Sequence, residues 1–326
     1  MEPSQRGFKD PLLNMSKRHE SVLEKEILRY LNFKDDSLIV DGTLGDGGHT
    51  ELILKNTGPD LRILGIDRDV QAIERAGKRL APFRNRVTLV HGNFSNIKNI
   101  LKKANMVNVD GLLLDLGVSS PQLDSPERGF SFMHNGPLDM RMDTTQKTTA
   151  ADLLVKLSDE ELISVIKEYG EERYSKRIVR AIRKAQGQNP VTTTLHLSEI
   201  ISSVAYSSRP TKIHPATRTF QALRIAVNNE LEHVKTALVD SLEILRASAR
   251  IMVISFHSLE DRIVKNFFRE EEKGCVCPPR IAVCACGRKA RLKIITRRPV
   301  VASIEETQHN PRASSAKLRA AERVYA

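Results

Sequence analysis

The chain has 326 residues, 40% of them hydrophobic, enough to bury a sizeable core in one large domain or two moderate ones. No apolar run approaches the ~20 residues of a membrane span, and the N-terminus carries Glu2 and Asp10 with no apolar stretch, which argues against a signal or transit peptide and for a soluble, cytoplasmic protein. A formal net charge of +11 suggests a polyanionic partner such as nucleic acid, although a solvated basic surface gives the same figure; aromatic residues at 5%, with no Trp, argue against a long base-stacking platform.

In chain order, residues 37–41 (Ser-Leu-Ile-Val-Asp) form a short apolar run ending in an acid and followed by glycines; residues 62–67 repeat the pattern, and residues 87–90 and 109–115 give two more runs. The intervening stretches, such as 70–80, suit helices, so the first part reads as a parallel sheet built from βαβ units. Residues 120–148 are rich in Gly, Pro, Ser and Asp and read as loop. Helices follow: one opened by the capping box at Ser158 and Glu161, one over 171–186 stopped by Gly187, and one over 197–205. Phe220, Leu223, Val227, Leu231, Val234, Leu238, Leu242 and Leu245 then make a long helical stripe, read as one helix or two in succession. Residues 250–256 read as a buried strand, Ser258 as the cap of a further helix, and the segment from 273 onward as a basic, cysteine-bearing tail. The expected architecture is an α/β sheet domain formed by 1–120 and 216–326, with a helical domain, 121–215, inserted into it.

The sharpest local signal is residues 41–49 (Asp-Gly-Thr-Leu-Gly-Asp-Gly-Gly-His), placed between a strand and a helix. Glycines there let backbone approach a nucleotide-like ligand at the carboxyl ends of the strands. The dinucleotide fingerprint fails, because Thr50 stands where its third glycine belongs. S-adenosylmethionine fits better: it needs an acid for its ribose hydroxyls, an apolar slot for adenine and polar groups for its amino acid. Asp67 ends the second strand about twenty residues past the glycines, where a ribose-binding acid is expected; Phe94 can cover the adenine, and Asp115 ends the fourth strand at the same crevice. Each also has a plain structural use, as turn, helix cap or core; what joins them is four successive strand ends supplying matching parts.

Residues 41–49, 113–124 (Leu-Leu-Asp-Leu-Gly-Val-Ser-Ser-Pro-Gln-Leu-Asp), 128–132, 137–143 (Pro-Leu-Asp-Met-Arg-Met-Asp), 214–224, 255–262 (Ser-Phe-His-Ser-Leu-Glu-Asp-Arg), 310–312 and 315–319 resemble the bacterial ribosomal RNA small-subunit methyltransferase H, or MraW, family. The resemblance runs from about residue 19 to the C-terminus. It implies a Rossmann-like class I methyltransferase domain with a helical insertion. It also implies methylation of the exocyclic N4 of a cytidine in the 16S rRNA decoding region, and cofactor contacts from Gly47, Gly48, His49, Asp67, Phe94, Asp115 and Gln122. Two departures stand out: residues 246–250 lack the Pro-Gly-Gly turn common before the following strand, and Ser21 stands where Pro is frequent.

Methyl transfer from a sulfonium needs alignment more than acid–base help. Asp115 is the candidate catalytic group, accepting an N4 hydrogen as positive charge develops there, or else holding the cofactor alone. Phe130 and Phe132 are read as core anchors of their loop, with base stacking as the alternative. Arg173, Lys176, Arg177, Arg180, Arg183 and Lys184 recur on one helix face, opposite a stripe of Tyr174, Ile178 and Ile182 expected to be buried, and suit an RNA backbone; Arg288, Lys289, Arg291, Lys293, Arg297 and Arg298 form a second basic cluster. The expected partner is 16S rRNA or the small ribosomal subunit; the residues do not set the oligomeric state and are compatible with a homodimer. His257 is given no role. Cys275, Cys277, Cys284 and Cys286 form two Cys-x-Cys pairs that could make a four-thiolate zinc site, but structural zinc usually has about two to four residues between paired cysteines and here there is one, so a zinc-free or incidental cluster is the favoured reading and no metal is assigned. Two other functions stay in view: a DNA amino-methyltransferase, which usually carries a Pro-Pro-Tyr/Phe run unlike residues 115–118, and a non-catalytic ribosome-assembly factor on the same scaffold.

Overall fold

The computed structural model describes residues 21–204, 214–278, 283 and 285–324. Its centre is a sheet of β1 (Leu38–Asp41), β2 (Arg62–Asp67), β3 (Val87–His91), β4 (Val109–Asp115), β5 (Leu245–Ser255), β6 (Leu292–Ile294), β7 (Val300–Val301) and β8 (Lys317–Arg323). The order is β3-β2-β1-β4-β5-β8-β6, with β7 also paired to β8; the first five strands run parallel, and β6, β7 and β5 each pair antiparallel with β8. Chain order reverses between β1 and β4, which opens a crevice at their carboxyl ends. The expected α/β, Rossmann-like class is the one observed.

Both faces of the sheet are covered, which is why its strands read as continuous apolar runs. Val40, Leu64, Leu112, Leu114, Ile251 and Val253 pack on one side against α4 (Ile97–Lys103), α11 (Glu230–Ile244) and α12 (Ser258–Lys273). Ile39, Ile63, Leu113, Met252 and Ile254 pack on the other against α1 (Glu24–Leu31), α2 (Gly48–Lys55) and α3 (Val70–Arg79). Among the described residues no helix is long and apolar enough to cross a membrane.

The remaining helices form a layer over the crevice side: α5 (Ser120–Asp124), α6 (Ala150–Lys156), α7 (Asp159–Gly170), α8 (Ser175–Gln186), α9 (Thr194–Val204) and α10 (Thr217–Asn228); α13 (Ile304–His309) precedes β8. Their apolar cluster includes Phe130, Leu154, Ile166, Ile178, Ile182 and Leu197. It also takes in Ala216, Phe220 and Leu223, so α10, expected on the sheet side of a boundary at 215, packs with the helical layer. The long stripe is two helices, divided at Asn229, whose φ of +49° ends one and starts the next.

Several expectations need correction. The stretch 120–148 contains α5, closed by a capping box between Ser119 and Gln122. The helix expected from 171 starts at Ser175. α12 is capped by His257, whose side chain accepts from the Glu260 amide, and Ser258 is its first residue. The segment after 273 supplies three strands in place of a tail. β8 was hidden because Lys-Leu-Arg-Ala-Ala-Glu-Arg carries helix formers and no β-branched residue. Tertiary pairing with β5 decides it, helped by ion pairs from Arg319 to Asp261 (2.6 Å) and from Arg250 to its cross-strand partner Glu322 (2.9 Å).

The missing Pro-Gly-Gly turn has a structural counterpart. The β4–β5 register jumps between Val109↔Leu245 and Gly111↔Arg250, and within the looped-out residues Ser248 has a φ of +67°. A residue with a Cβ is held there at a cost of about 1–2 kcal/mol. Ser248→Gly should raise unfolding free energy by about 1 kcal/mol in urea titrations at unchanged m-value.

Candidate active site

The crevice is lined by the turn after β1 (Gly42 to Asp46, then Gly48 and His49), by Asp67 and Arg68 after β2, by Asn93 and Phe94 after β3, and by Asp115 to Gln122 after β4. Each group stands there because parallel strands end together and their following loops meet at the switch point. Of the residues expected to bind cofactor, Gly48, His49, Asp67, Phe94, Asp115 and Gln122 line this one cavity. Gly47 does not. It caps α2 with a φ of +78° and faces Leu80, 3.0 Å from where a Cβ would stand. Its role is to turn the chain so that Gly48, with Ser21 Oγ only 2.1 Å from an added Cβ, meets the cavity.

The carboxylates differ in what holds them. Asp41 is buried, accepts from Thr50 Oγ1 (2.7 Å) and the Thr43 amide (3.3 Å), and is pushed up from 3.8 to about 6, chiefly by burial. It ties the glycine turn to α2. Asp67 accepts the Gly45 amide (2.7 Å) through one oxygen and the Asp69 amide (2.8 Å) through the other; burial raises its pKa and these two bonds oppose that. Two of a carboxylate's roughly four acceptor positions are thereby used and the rest remain for a ligand. The Asp115 amide donates to Thr43 Oγ1 (2.5 Å), locking β4 to the glycine turn. Its Oδ2 lies 3.5 Å from His49 Nε2, whereas its buried Oδ1 has no hydrogen-bond partner among the described residues. Burial disfavours a charged His49, but the Asp115 and Asp41 carboxylates outweigh it and hold the imidazole pKa above its ordinary value.

Phe94 is buried, its ring edge-to-face with His233 at 6.5 Å. Phe130 belongs to the helical-layer core, and Phe132 packs beside it, stacked on His214 at 4.6 Å and edge-on to Phe220 at 5.0 Å; neither lines the crevice, which matches the anchor reading.

A second ring of residues escaped the sequence reading. Asp69 caps α3 and also receives Gln122 Nε2 (2.9 Å) and Arg128 Nη1 (2.7 Å). Arg128 further donates to the Arg141 and Met142 carbonyls at 3.0 Å, and Asn228 bonds Met140 and Met142, so the loop carrying residues 137–143 is sewn to both layers. Glu230, held by Arg224 at 2.8 and 2.9 Å, and Glu260, which accepts the Phe256 amide at 2.9 Å, also line the crevice. Neither the helix cap at Asp69 nor the Ser119–Gln122 box was read from the sequence, and their convergence depends on the fold.

The basic helix face also needs revision. Arg173, Lys176, Arg177, Arg180 and Lys184 are exposed and make no ion pair among the described residues. Arg183 is occupied: it binds Asp159 (2.6 Å), the Leu157 carbonyl (2.5 Å) and the Leu154 carbonyl. Tyr174 is 41% exposed, and the buried stripe is Ser175, Ile178, Val179 and Ile182. In the second cluster Arg288 and Arg291 clamp Glu271, leaving Lys289, Lys293, Arg297 and Arg298 exposed.

Residues 16–324 match the family model described as the MraW methylase family. The chain belongs to that family. Curated relatives agree over nearly the whole length. The ribosomal RNA small subunit methyltransferase H of Syntrophotalea carbinolica is 51% identical over 308 residues, 94% of this chain and 98% of the relative. The protein of the same name from Carboxydothermus hydrogenoformans is 52% identical over 307 residues, again 94% and 98%. That from Geobacter sulfurreducens is 51% identical over 311 residues, 95% of this chain and 100% of the relative. In this family member the glycine turn, Asp67 and Asp115 line one crevice.

Proposed function

We propose that the chain transfers a methyl group from S-adenosylmethionine to the exocyclic N4 of a cytidine in the decoding region of 16S ribosomal RNA, acting on the rRNA or the small subunit. Family membership and the names of the relatives support an rRNA methylase. The observation that carries the chemistry is the buried Asp115 Oδ1, without a hydrogen-bond partner among the described residues, on a residue that lines the same crevice as Asp67 and the glycine turn. When bound, S-adenosylmethionine supplies an electrophilic methyl group on a sulfonium sulfur that leaves neutral. Asp67 offers its remaining acceptor positions to the ribose hydroxyls, and Phe94 covers the adenine. Asp115 accepts an N4 hydrogen of the cytosine, orients the amine for in-line attack and stabilises the charge that develops on it. His49, beside it, keeps the carboxylate placed.

To test this, ribosomal RNA and small subunits are incubated with methyl-labelled donor and the modified nucleoside is mapped by mass spectrometry. Label on N4-methylcytidine in the decoding region is expected; no incorporation, or label on another atom or nucleoside, overturns the reading.

The exposed cations along α8 are proposed to hold the RNA backbone. Glu171, just upstream, bridges to Ser258 (2.6 Å) and Arg262 (3.0 Å), which ties this basic face to the α12 start. Replacing Lys176, Arg177, Arg180 and Lys184 by Gln should weaken RNA binding and reduce the slope of log K against log salt by about 0.7–0.9 for each phosphate that is no longer neutralised, with donor binding unchanged. Arg183→Ala should instead lower thermal stability, because Asp159 and the Leu157 and Leu154 carbonyls each lose a hydrogen bond.

A further inference from the structure

The cysteines after α12 lie away from the crevice and the proposed reaction does not use them. Their spacing in sequence argued against zinc, but in space the grouping crosses the loop. The sulfurs of Cys275, Cys277 and Cys286 all lie within 4.8 Å of one another, and those of Cys275 and Cys286 are 3.7 Å apart. A disulfide requires about 2.05 Å. Zinc–thiolate bonds of about 2.3 Å at tetrahedral angles place two sulfurs about 3.8 Å apart.

The loop's construction points the same way. Its base is closed by the Arg291 amide on the Glu271 carbonyl (2.9 Å) and by Arg288 (2.8 Å) and Arg291 (2.5 Å) on the Glu271 carboxylate. Beyond that base no helix or strand occurs among the described residues before β6, and the apolar side chains Val276 and Val283 are 54% and 78% exposed. Long connections without secondary structure of their own are uncommon in compact folds and are usually functional or linker segments. From the converging sulfurs, with the exposed Val276 and Val283 among them, we infer that Cys275, Cys277 and Cys286 bind a structural zinc ion as thiolates.

Each ligating thiol releases its proton on binding, and the metal–thiolate charge, net negative, sits in a segment that carries Arg288 and Lys289. Three thiolates fill three of the four tetrahedral positions of such an ion; Cys284 lies outside the described residues.

The full chain, purified without chelator, is assayed for metal by plasma mass spectrometry. Stoichiometric zinc that survives dialysis and is released by a thiol-specific mercurial is expected, as is the intense visible absorption of tetrahedral thiolate coordination after cobalt(II) exchange. The double variant Cys275→Ser with Cys286→Ser should lose the metal and expose the loop to protease while still binding the methyl donor. Zinc that dialyses away, a Cys275–Cys286 disulfide found by thiol titration, or full metal content in the double variant would overturn the site. Metal content and the cobalt spectrum of the unaltered chain decide the matter even if the variant does not fold.

Discussion

Asp67→Ala should lower affinity for S-adenosylmethionine by about 100-fold or more and leave RNA binding intact. The side chain does two things at once. Its oxygens receive the Gly45 and Asp69 amides, fixing the glycine turn against the start of α3, and its remaining lone pairs face the crevice. Hydrogen bonds to a charged group contribute about 1.5–3 kcal/mol each, so removing the ribose hydrogen bonds alone takes away about 3 kcal/mol, or about 100-fold in affinity. Asp67→Asn keeps an acceptor but turns an NH2 toward a backbone N–H, and should fall between the two. Equilibrium dialysis with labelled donor at fixed salt measures this, with urea unfolding as the control for folding. Unchanged affinity in a folded Asp67→Ala protein would remove Asp67 from the donor site.

Asp115→Asn should lower turnover by about 100-fold or more while changing donor affinity little. Removing one preorganised group that stabilises transition-state charge typically costs about 100- to 1,000-fold in rate. Asn preserves the shape and the backbone bond to Thr43, so the glycine turn stays in place. It cannot carry the negative charge that the amine calls for. Single-turnover methylation at saturating donor, compared with donor affinity, separates the roles: equal loss in both makes Asp115 a cofactor ligand only. The neighbouring imidazole gives an independent reading. Asp115 is the leading influence that raises the His49 pKa against burial, so His49 should lose its proton at a lower pH in the variant, as followed by NMR.

β1, β2 and β4 were readable because they are largely buried and end in acids, and β2 and β4 fall on the predicted runs. The C-terminal strands were not, since β8 has the composition of a helix and becomes a strand only by pairing with β5. At the crevice, strand-end chemistry pointed to Asp67, Phe94 and Asp115 because a strand end has a fixed place in this architecture. Asp69 and Arg128 were not singled out, since they meet across 59 residues, and Glu230 and Glu260, whose partners Arg224 and Phe256 are near in sequence, reach the crevice only through the fold. The same limit misjudged Tyr174 and Arg183: a helical wheel gives the face but not which neighbour occupies it.

A crystal structure of the chain with S-adenosylhomocysteine tests the central claim most directly. The account predicts the nucleoside across the β1–β4 crevice, with ribose hydroxyls on Asp67, adenine against Phe94 and sulfur turned toward Asp115. A bound ligand whose ribose avoids Asp67, or full ligand concentration with an empty crevice, would contradict it.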